Sequence, residues 1–248
     1  MPTLDRAGVS LAYKFVAGRG PTLVFLPGFM SDMNGEKASM LAAHAANLGN
    51  ACLRLDYSGH GGSGGRFEDG TIGVWAEDAL FLIDQVTSGP IVLVGSSMGG
   101  WIALLVALAM PARLVGLIGV AAAPDFTERL MWDKFSEKTR AVLERDGFLP
   151  VPGASDARYV ITRGLIEDGR RRLLLGGPIA IHCPVRLLQG MRDTDVPWQT
   201  ALDLAERIET PDVRVTLIKD GDHRLSRPAD LALLRHVGGM LLGSQDGP

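Results

Sequence analysis

Cysteine is nearly absent from this chain, with only Cys52 and Cys183 among 248 residues. Both lie in apolar, strand-like surroundings and read as buried free thiols. A disulfide would need an oxidising compartment to which nothing in the sequence points, and no metal-ligand spacing is present. Long hydrophobic runs are also missing. The most apolar stretch, residues 101–110, has about half the length of a membrane-spanning helix, and Pro111 and Arg113 close it. Nor is there an excess of positive charge. Lys and Arg number 25 against 28 Asp and Glu, a net charge of −3, which offers no footprint for nucleic acid or anionic membrane. The first ten residues lack a basic region followed by an apolar run, so no signal peptide is expected and the expected location is cytoplasmic. Repeats and low-complexity segments are absent. So is any G-x-x-x-x-G-K-[ST] loop, which removes support for nucleotide hydrolysis.

The remaining composition, 46% apolar and 21% charged, is that of an ordinary soluble globular protein with enough chain to bury a substantial core. Short runs of branched apolar residues at 22–26, 51–55, 91–94, 117–121, 185–188 and 213–218 read as buried strands. Helical patterns at 34–48, 71–86, 98–109, 199–208 and 229–242 alternate with them. Such alternation implies right-handed crossovers and a mostly parallel, twisted sheet flanked by helices. Residues 4–16 alternate like an exposed antiparallel pair at the sheet edge. From Asp125 to about Ile181 the rhythm breaks. This region is helical and charged, is interrupted by Pro150, Pro152 and Gly153, and contains no convincing strand. It reads as a small helical cap over the C-terminal edge of the sheet, with extra helices outside the sheet as the alternative. The expected division is a core of residues 1–124 and 182–248 with a cap of 125–181.

Glycine is plentiful, at 31 residues, and its clusters carry the chemistry. Gly95-Ser96-Ser97-Met98-Gly99 follows one apolar strand and opens a helix, the context of a G-x-S-x-G nucleophile elbow. Chance matches to so short a pattern are common, but this context makes it specific. Ser97 is the candidate nucleophile and needs a base. Of five histidines, His44 and His236 lie within helices, His60 lies in a glycine loop and His182 precedes a strand. His223, in Asp220-Gly-Asp-His223 after the last strand, is placed to serve. A carboxylate must orient it. Asp193 and Asp195 both qualify, with Asp125 a weaker third; Asp195 could instead cap a helix near Pro197. Asp193 is preferred, and the order Ser97, Asp193, His223 is that of an α/β-hydrolase. Two backbone N–H groups should form an oxyanion hole: Met98 after the nucleophile, and Phe29 in the loop Pro27-Gly28-Phe29-Met30. Met30, Trp132 and Phe135 are candidates to line an acyl pocket, although such residues are more often plain core. Gly59-His-Gly61-Gly-Ser-Gly64 matches G-x-G-x-x-G, yet a loop rather than a helix follows it, which argues against a dinucleotide site. No cofactor is expected.

The chain resembles the α/β-hydrolase superfamily in FLPGF around Gly28, LRLDYSGHGGSGG from Leu53, VGSSMGGW around Ser97, LLQGMRDTDVP around Asp193 and DGDH ending at His223. More closely it resembles the palmitoyl-protein thioesterase and acyl-glucuronide esterase branch, the relatives of α/β-hydrolase domain-containing protein ten. That likeness spans most of residues 21–227 and is poor across roughly 130–180. It implies Ser97, Asp193 and His223 as a triad with Phe29 and Met98 as oxyanion donors. It also implies hydrolysis of acyl thioesters or esters, on a small molecule or an acylated protein. A small-molecule carboxylesterase is the runner-up, and a non-catalytic binding protein of the same fold the alternative from another class. A dehalogenase is disfavoured, because Ser97 stands where an aspartate would be required.

Overall fold

The structure, a computed structural model, describes residues 1–152 and 158–243. Its elements in chain order begin with β1 (Thr3–Arg6), β2 (Val9–Val16), β3 (Arg19–Leu26), α1 (Glu36–Asn47) and β4 (Asn50–Leu55). They continue with α2 (Ile72–Val86), β5 (Ile91–Ser96), α3 (Met98–Ala109) and β6 (Leu114–Val120). After an excursion described below come β9 (Val185–Gly190), α6 (Gln199–Arg207), β10 (Val213–Ile218) and α7 (Pro228–Gly243). Eight strands form one sheet in the order β1-β2-β4-β3-β5-β6-β9-β10. β1 with β2 and β2 with β4 are antiparallel, and the other neighbours are parallel.

Strand side chains point alternately to opposite faces, so a run that is apolar at every position must be covered on both. β3 shows how this is met. Leu23 and Phe25 enter one core with Ala38 and Leu41 of α1 and Leu234 and Leu241 of α7. Val24 and Leu26 enter the other with Trp75 of α2, Trp101 of α3 and Leu204 of α6. Burying a side chain of this size contributes roughly 1.5–3 kcal/mol, so the two-sided core fixes strand order and register together.

That order also places the site. From β3 the chain steps to β4 on one side, then returns to β5 on the other side of β3. Loops leaving the C-terminal ends of β3 and β5 therefore diverge and open a crevice, the usual ligand position in an open α/β sheet. The loop Pro27–Met30 follows β3, and Ser97 follows β5.

The segment between β6 and β9 corrects one expectation. It does contain helices, α4 (Glu137–Asp146) and α5 (Arg163–Arg170). It also contains an antiparallel hairpin of β7 (Phe148–Pro152) and β8 (Arg158–Thr162), with Leu149 opposite Ile161 and Pro150 opposite Val160. Prolines at 150 and 152 obscured this strand in the sequence. A two-stranded ribbon tolerates them because each of its strands has an edge that needs no N–H donor. Gly153, the third expected interruption, lies outside the described residues. Among the described residues no helix is long and apolar enough to cross a membrane.

Candidate active site

A strand that ends in a turn tight enough to aim one side chain outward needs small neighbours. A Cβ on Gly95 would lie 2.2 Å from the Gly99 carbonyl oxygen, and one on Gly99 would lie 2.1 Å from that of Leu26. Neither position admits a larger residue. Ser97 between them adopts φ +56°, ψ −122°, a conformation that costs on the order of 1–3 kcal/mol. Its backbone is held on both sides. The Ser97 N–H donates to Val120 O at 2.9 Å, and its carbonyl accepts from Gly100 and Ala123 at 2.8 and 3.0 Å.

Ser97 Oγ lies 3.1 Å from His223 Nε2, and His223 Nδ1 lies 2.8 Å from Asp193 Oδ2. A carboxylate can only accept, so the imidazole proton sits on Nδ1 and the Nε2 lone pair faces the hydroxyl. Asp193 has no exposed side-chain surface. Its Oδ1 accepts from the N–H groups of Asp195 and Val196, both at 2.8 Å, and its Oδ2 also accepts from Gln189 Nε2 at 2.9 Å. Burial alone would raise the Asp193 carboxyl, but the bonds from His223, Val196 and Asp195 outweigh it and hold the group below the usual carboxylate range.

The other candidate acids have different work. Asp195 is exposed and reaches Asp193 only through its backbone N–H. It does not cap α6, whose N-cap residue is Trp198 and which has no side-chain cap. Asp125 is buried, and its two oxygens accept the N–H groups of Leu174 and Leu175 at 2.8 and 2.9 Å. It thereby staples the excursion between β6 and β9 to the end of β6, and burial pushes its carboxyl upward. Gln189 went unnoticed in the sequence, where its signal is a polar residue directly after Leu187 and Leu188 in β9.

Among the described residues, one grouping has ligand atoms close enough for a metal, within 4.8 Å: Asp193, Asp195 and His223. Each Asp193 oxygen already accepts two hydrogen bonds, which leaves that carboxylate poorly suited to a cation.

The loop after β3 approaches Ser97 closely. A Cβ on Gly28 would meet Ser97 Cβ at 3.3 Å and Ser96 O at 3.2 Å. Phe29 next to it is clamped by edge-to-face contacts with Phe67, Trp75, Phe126 and Tyr159 at centroid distances of 5.0–5.9 Å. Met98 is the first residue of α3, whose positive end points towards Ser97.

Ser97 and His223 open into a cavity of about 810 Å³. Phe29, Met98, Phe126, Leu130, Met131 and Val196 give it an apolar wall. Asp32, Glu36, Lys37 and Arg224 give it a charged rim. Lys37 is pushed down by burial; its ammonium donates to Arg224 O and Ser226 Oγ and ties α1 to the loop that carries His223. Met30 lines the cavity, in a left-handed conformation with φ +57°. Trp132 and Phe135 do not line it. The Trp132 ring is taken up by the guanidinium groups of Arg170 and Arg140, at 4.3 and 5.2 Å from its centroid, and Phe135 packs against the core. Tyr159 on β8 lines the wall, and it was missed with its strand.

Comparison with known proteins fits this architecture. The model of the Alpha/beta hydrolase family matches residues 23–234. Palmitoyl-protein thioesterase ABHD10, mitochondrial, of Homo sapiens is 41% identical over 227 residues, covering 91% of this chain and 74% of that protein. The solved structure of alpha/beta hydrolase domain-containing protein 10 from mouse superposes with a TM-score of 0.91 at 39% identity and 98% coverage of both chains. A solved protein from Agrobacterium vitis S4 gives 0.93 at 42% identity and 97% coverage of both. The chain belongs to the alpha/beta hydrolase family.

Proposed function

We propose that the protein is a serine hydrolase that cleaves acyl thioesters or carboxylic esters through an acyl-serine intermediate, in the manner of a palmitoyl-protein thioesterase. The observation that carries this reading is the continuous chain Asp193–His223–Ser97, with bonds of 2.8 and 3.1 Å, at a cavity with an apolar wall. The similarity to thioesterase ABHD10 adds the substrate class, and residues 125–181 act as the cap that shapes the acyl pocket.

In this mechanism Ser97 Oγ attacks the acyl carbonyl while His223 Nε2 takes its proton. The oxyanion is held by the N–H groups of Phe29 and Met98, each worth on the order of 3 kcal/mol in barrier height. Asp193 stays ionised and stabilises the imidazolium. Collapse of the tetrahedral adduct breaks the C–S or C–O bond, and His223 returns the proton to the departing thiolate or alkoxide. A water then attacks the acyl-serine with His223 again as base. This releases the carboxylic acid and restores Ser97.

A fluorophosphonate probe tests the reading directly. Stoichiometric labelling of the native protein, lost on Ser97→Ala, is expected; a well-folded native protein that resists labelling would sink the proposal. Acyl thioesters and p-nitrophenyl esters of graded chain length then separate the two substrate classes, and faster turnover of short esters than of every thioester would favour the carboxylesterase reading. We place the protein in the cytoplasm, where two buried free thiols suit a reducing setting. Recovery of the native protein from inside an organelle would overturn that location.

A further inference from the structure

Hydrolysis by Ser97 makes no use of the glycine-rich stretch 59–64, and the stretch lacks the helix start a phosphate cradle needs. It is nevertheless well built. Three buried side chains of this loop each take one backbone group of the loop after β3. Tyr57 Oη donates to Pro27 O at 3.2 Å, His60 Nε2 accepts from the Met30 N–H at 3.3 Å, and Asp56 Oδ1 accepts from the Met33 N–H at 2.7 Å. The supported span runs from 27 to 33, with Phe29 inside it. Within that span the one internal backbone bond is Ser31 N–H to Gly28 O at 3.0 Å, and Met30 is held in a conformation unfavourable for a residue with a side chain. The span needs outside support.

His60 supplies the contact nearest Phe29. Its Nδ1 lies 3.1 Å from Ser58 O and must donate, which leaves Nε2 as an acceptor for Met30. Rings of Tyr57, Phe67 and Trp75 box the imidazole at 5.6, 5.2 and 5.0 Å, and burial favours its neutral form. Ser58 is itself fixed from α2. Asp78 accepts its N–H and hydroxyl at 2.8 and 2.6 Å, and Trp75 Nε1 donates to its carbonyl at 3.1 Å. The glycines fit the same purpose: a Cβ on Gly61 would lie 2.2 Å from Asp56 Oδ2, and both Gly59 and Gly61 have positive φ. Gly61 clears room for the Asp56 side chain of its own loop and Gly59 for the backbone of Arg66 and Phe67, where a dinucleotide site would clear room for phosphate.

We propose that the loop 56–63 is a brace for the oxyanion hole, and that His60 is a positioning residue that orients the Phe29–Met30 segment for catalysis. The catalytic part rests on the acyl-serine reading above, because it takes the Phe29 N–H as a donor; the structural part does not.

The test compares wild type with His60→Gln, His60→Asn and His60→Phe, using a p-nitrophenyl ester for turnover and amide hydrogen exchange for residues 27–33. A Gln oxygen can reach the place of Nε2 and accept from Met30, whereas Asn is too short and Phe offers no acceptor. With Asn and Phe, kcat should fall roughly ten- to a hundredfold with KM within about twofold, while Gln retains most of the activity. Exchange at 29–33 should accelerate at least about tenfold in Asn and Phe but not in Gln. Tyr57→Phe, which deletes only the hydroxyl, should speed exchange near residues 27–29 and serves if the His60 variants fold poorly. Wild-type exchange in His60→Phe or, where that protein does not fold, in Tyr57→Phe overturns the brace. An equal loss of kcat in all three His60 variants overturns the positioning role. If Ser97→Ala leaves hydrolysis intact, the acyl-serine reading fails, and the exchange measurements still decide whether 56–63 holds 27–33.

Discussion

At the scale of single residues, the carboxylate pair Asp193 and Asp195 shows what a loop sequence hides. Both follow the same strand, three and five residues after its last residue Gly190, and spacing alone leaves either able to orient His223. The fold separates them, because Asp193 turns inward to four hydrogen-bond donors while Asp195 stays exposed. Asp193→Asn should lower kcat by roughly 10³–10⁴-fold, since an amide donates where the imidazole needs an acceptor. Asp195→Asn should stay within about twofold, because only its backbone touches the site. Steady-state kinetics on the two variants decides between them. Stability carries a further signature. The Asp193 carboxyl is held below its ordinary range, so its ionised form contributes stability that is present above the unfolded value of about 3.9. That contribution is lost as pH falls through the depressed folded value. Thermal melts of wild type and Asp193→Asn should therefore converge on acidification below about pH 4. Ser97 and His223 were legible because each sits in a short loop at a strand end, where few geometries exist. Trp132 was not, since nothing in its neighbourhood told that Arg140 and Arg170 would claim its ring.

At the scale of elements, the parallel strands could be read because both faces of each are buried, which turns them into unbroken apolar runs. The hairpin β7–β8 could not. Its pairing is local and its prolines are permitted only because no third strand needs their N–H. The junction between β5 and α3 is tightly constrained. Gly99→Ala would drive a methyl group into the Leu26 carbonyl. A cost of about 3 kcal/mol is expected, lowering Tm by roughly 6–12 °C, and calorimetry would measure it. Asp125→Ala acts on a different junction. It leaves the N–H groups of Leu174 and Leu175 without their acceptor, at about 1–3 kcal/mol each. Because Asp125 holds an anchor and not the imidazole, the variant should lose stability while kcat stays near wild type.

At the scale of the whole molecule, the sheet's two cores make unfolding the gate to the interior. Cys52 lies in the core against α1 and α7, and Cys183 in the one on the opposite face. Burial pushes both thiols up to about 11, so neither offers a thiolate at neutral pH. A thiol reagent should leave the native protein unmodified and titrate two groups on denaturation. Rapid modification of either thiol under native conditions would show that its side of the sheet opens locally.

The position of the excursion has a consequence for how such a protein can change. β6 and β9 are direct parallel neighbours, with Leu117 beside Val185 and Val120 beside Leu188, so the chain leaves the sheet at the C-terminal end of one strand and re-enters at the N-terminal end of the next. Lengthening a flexible loop closed in this way costs only about 0.6 kcal/mol per doubling. The described part of this excursion can therefore change in length while the order of the sheet strands stays as it is. On the proposed reading, in which the excursion shapes the acyl pocket, substrate preference and chemical machinery can diverge at separate rates along one chain.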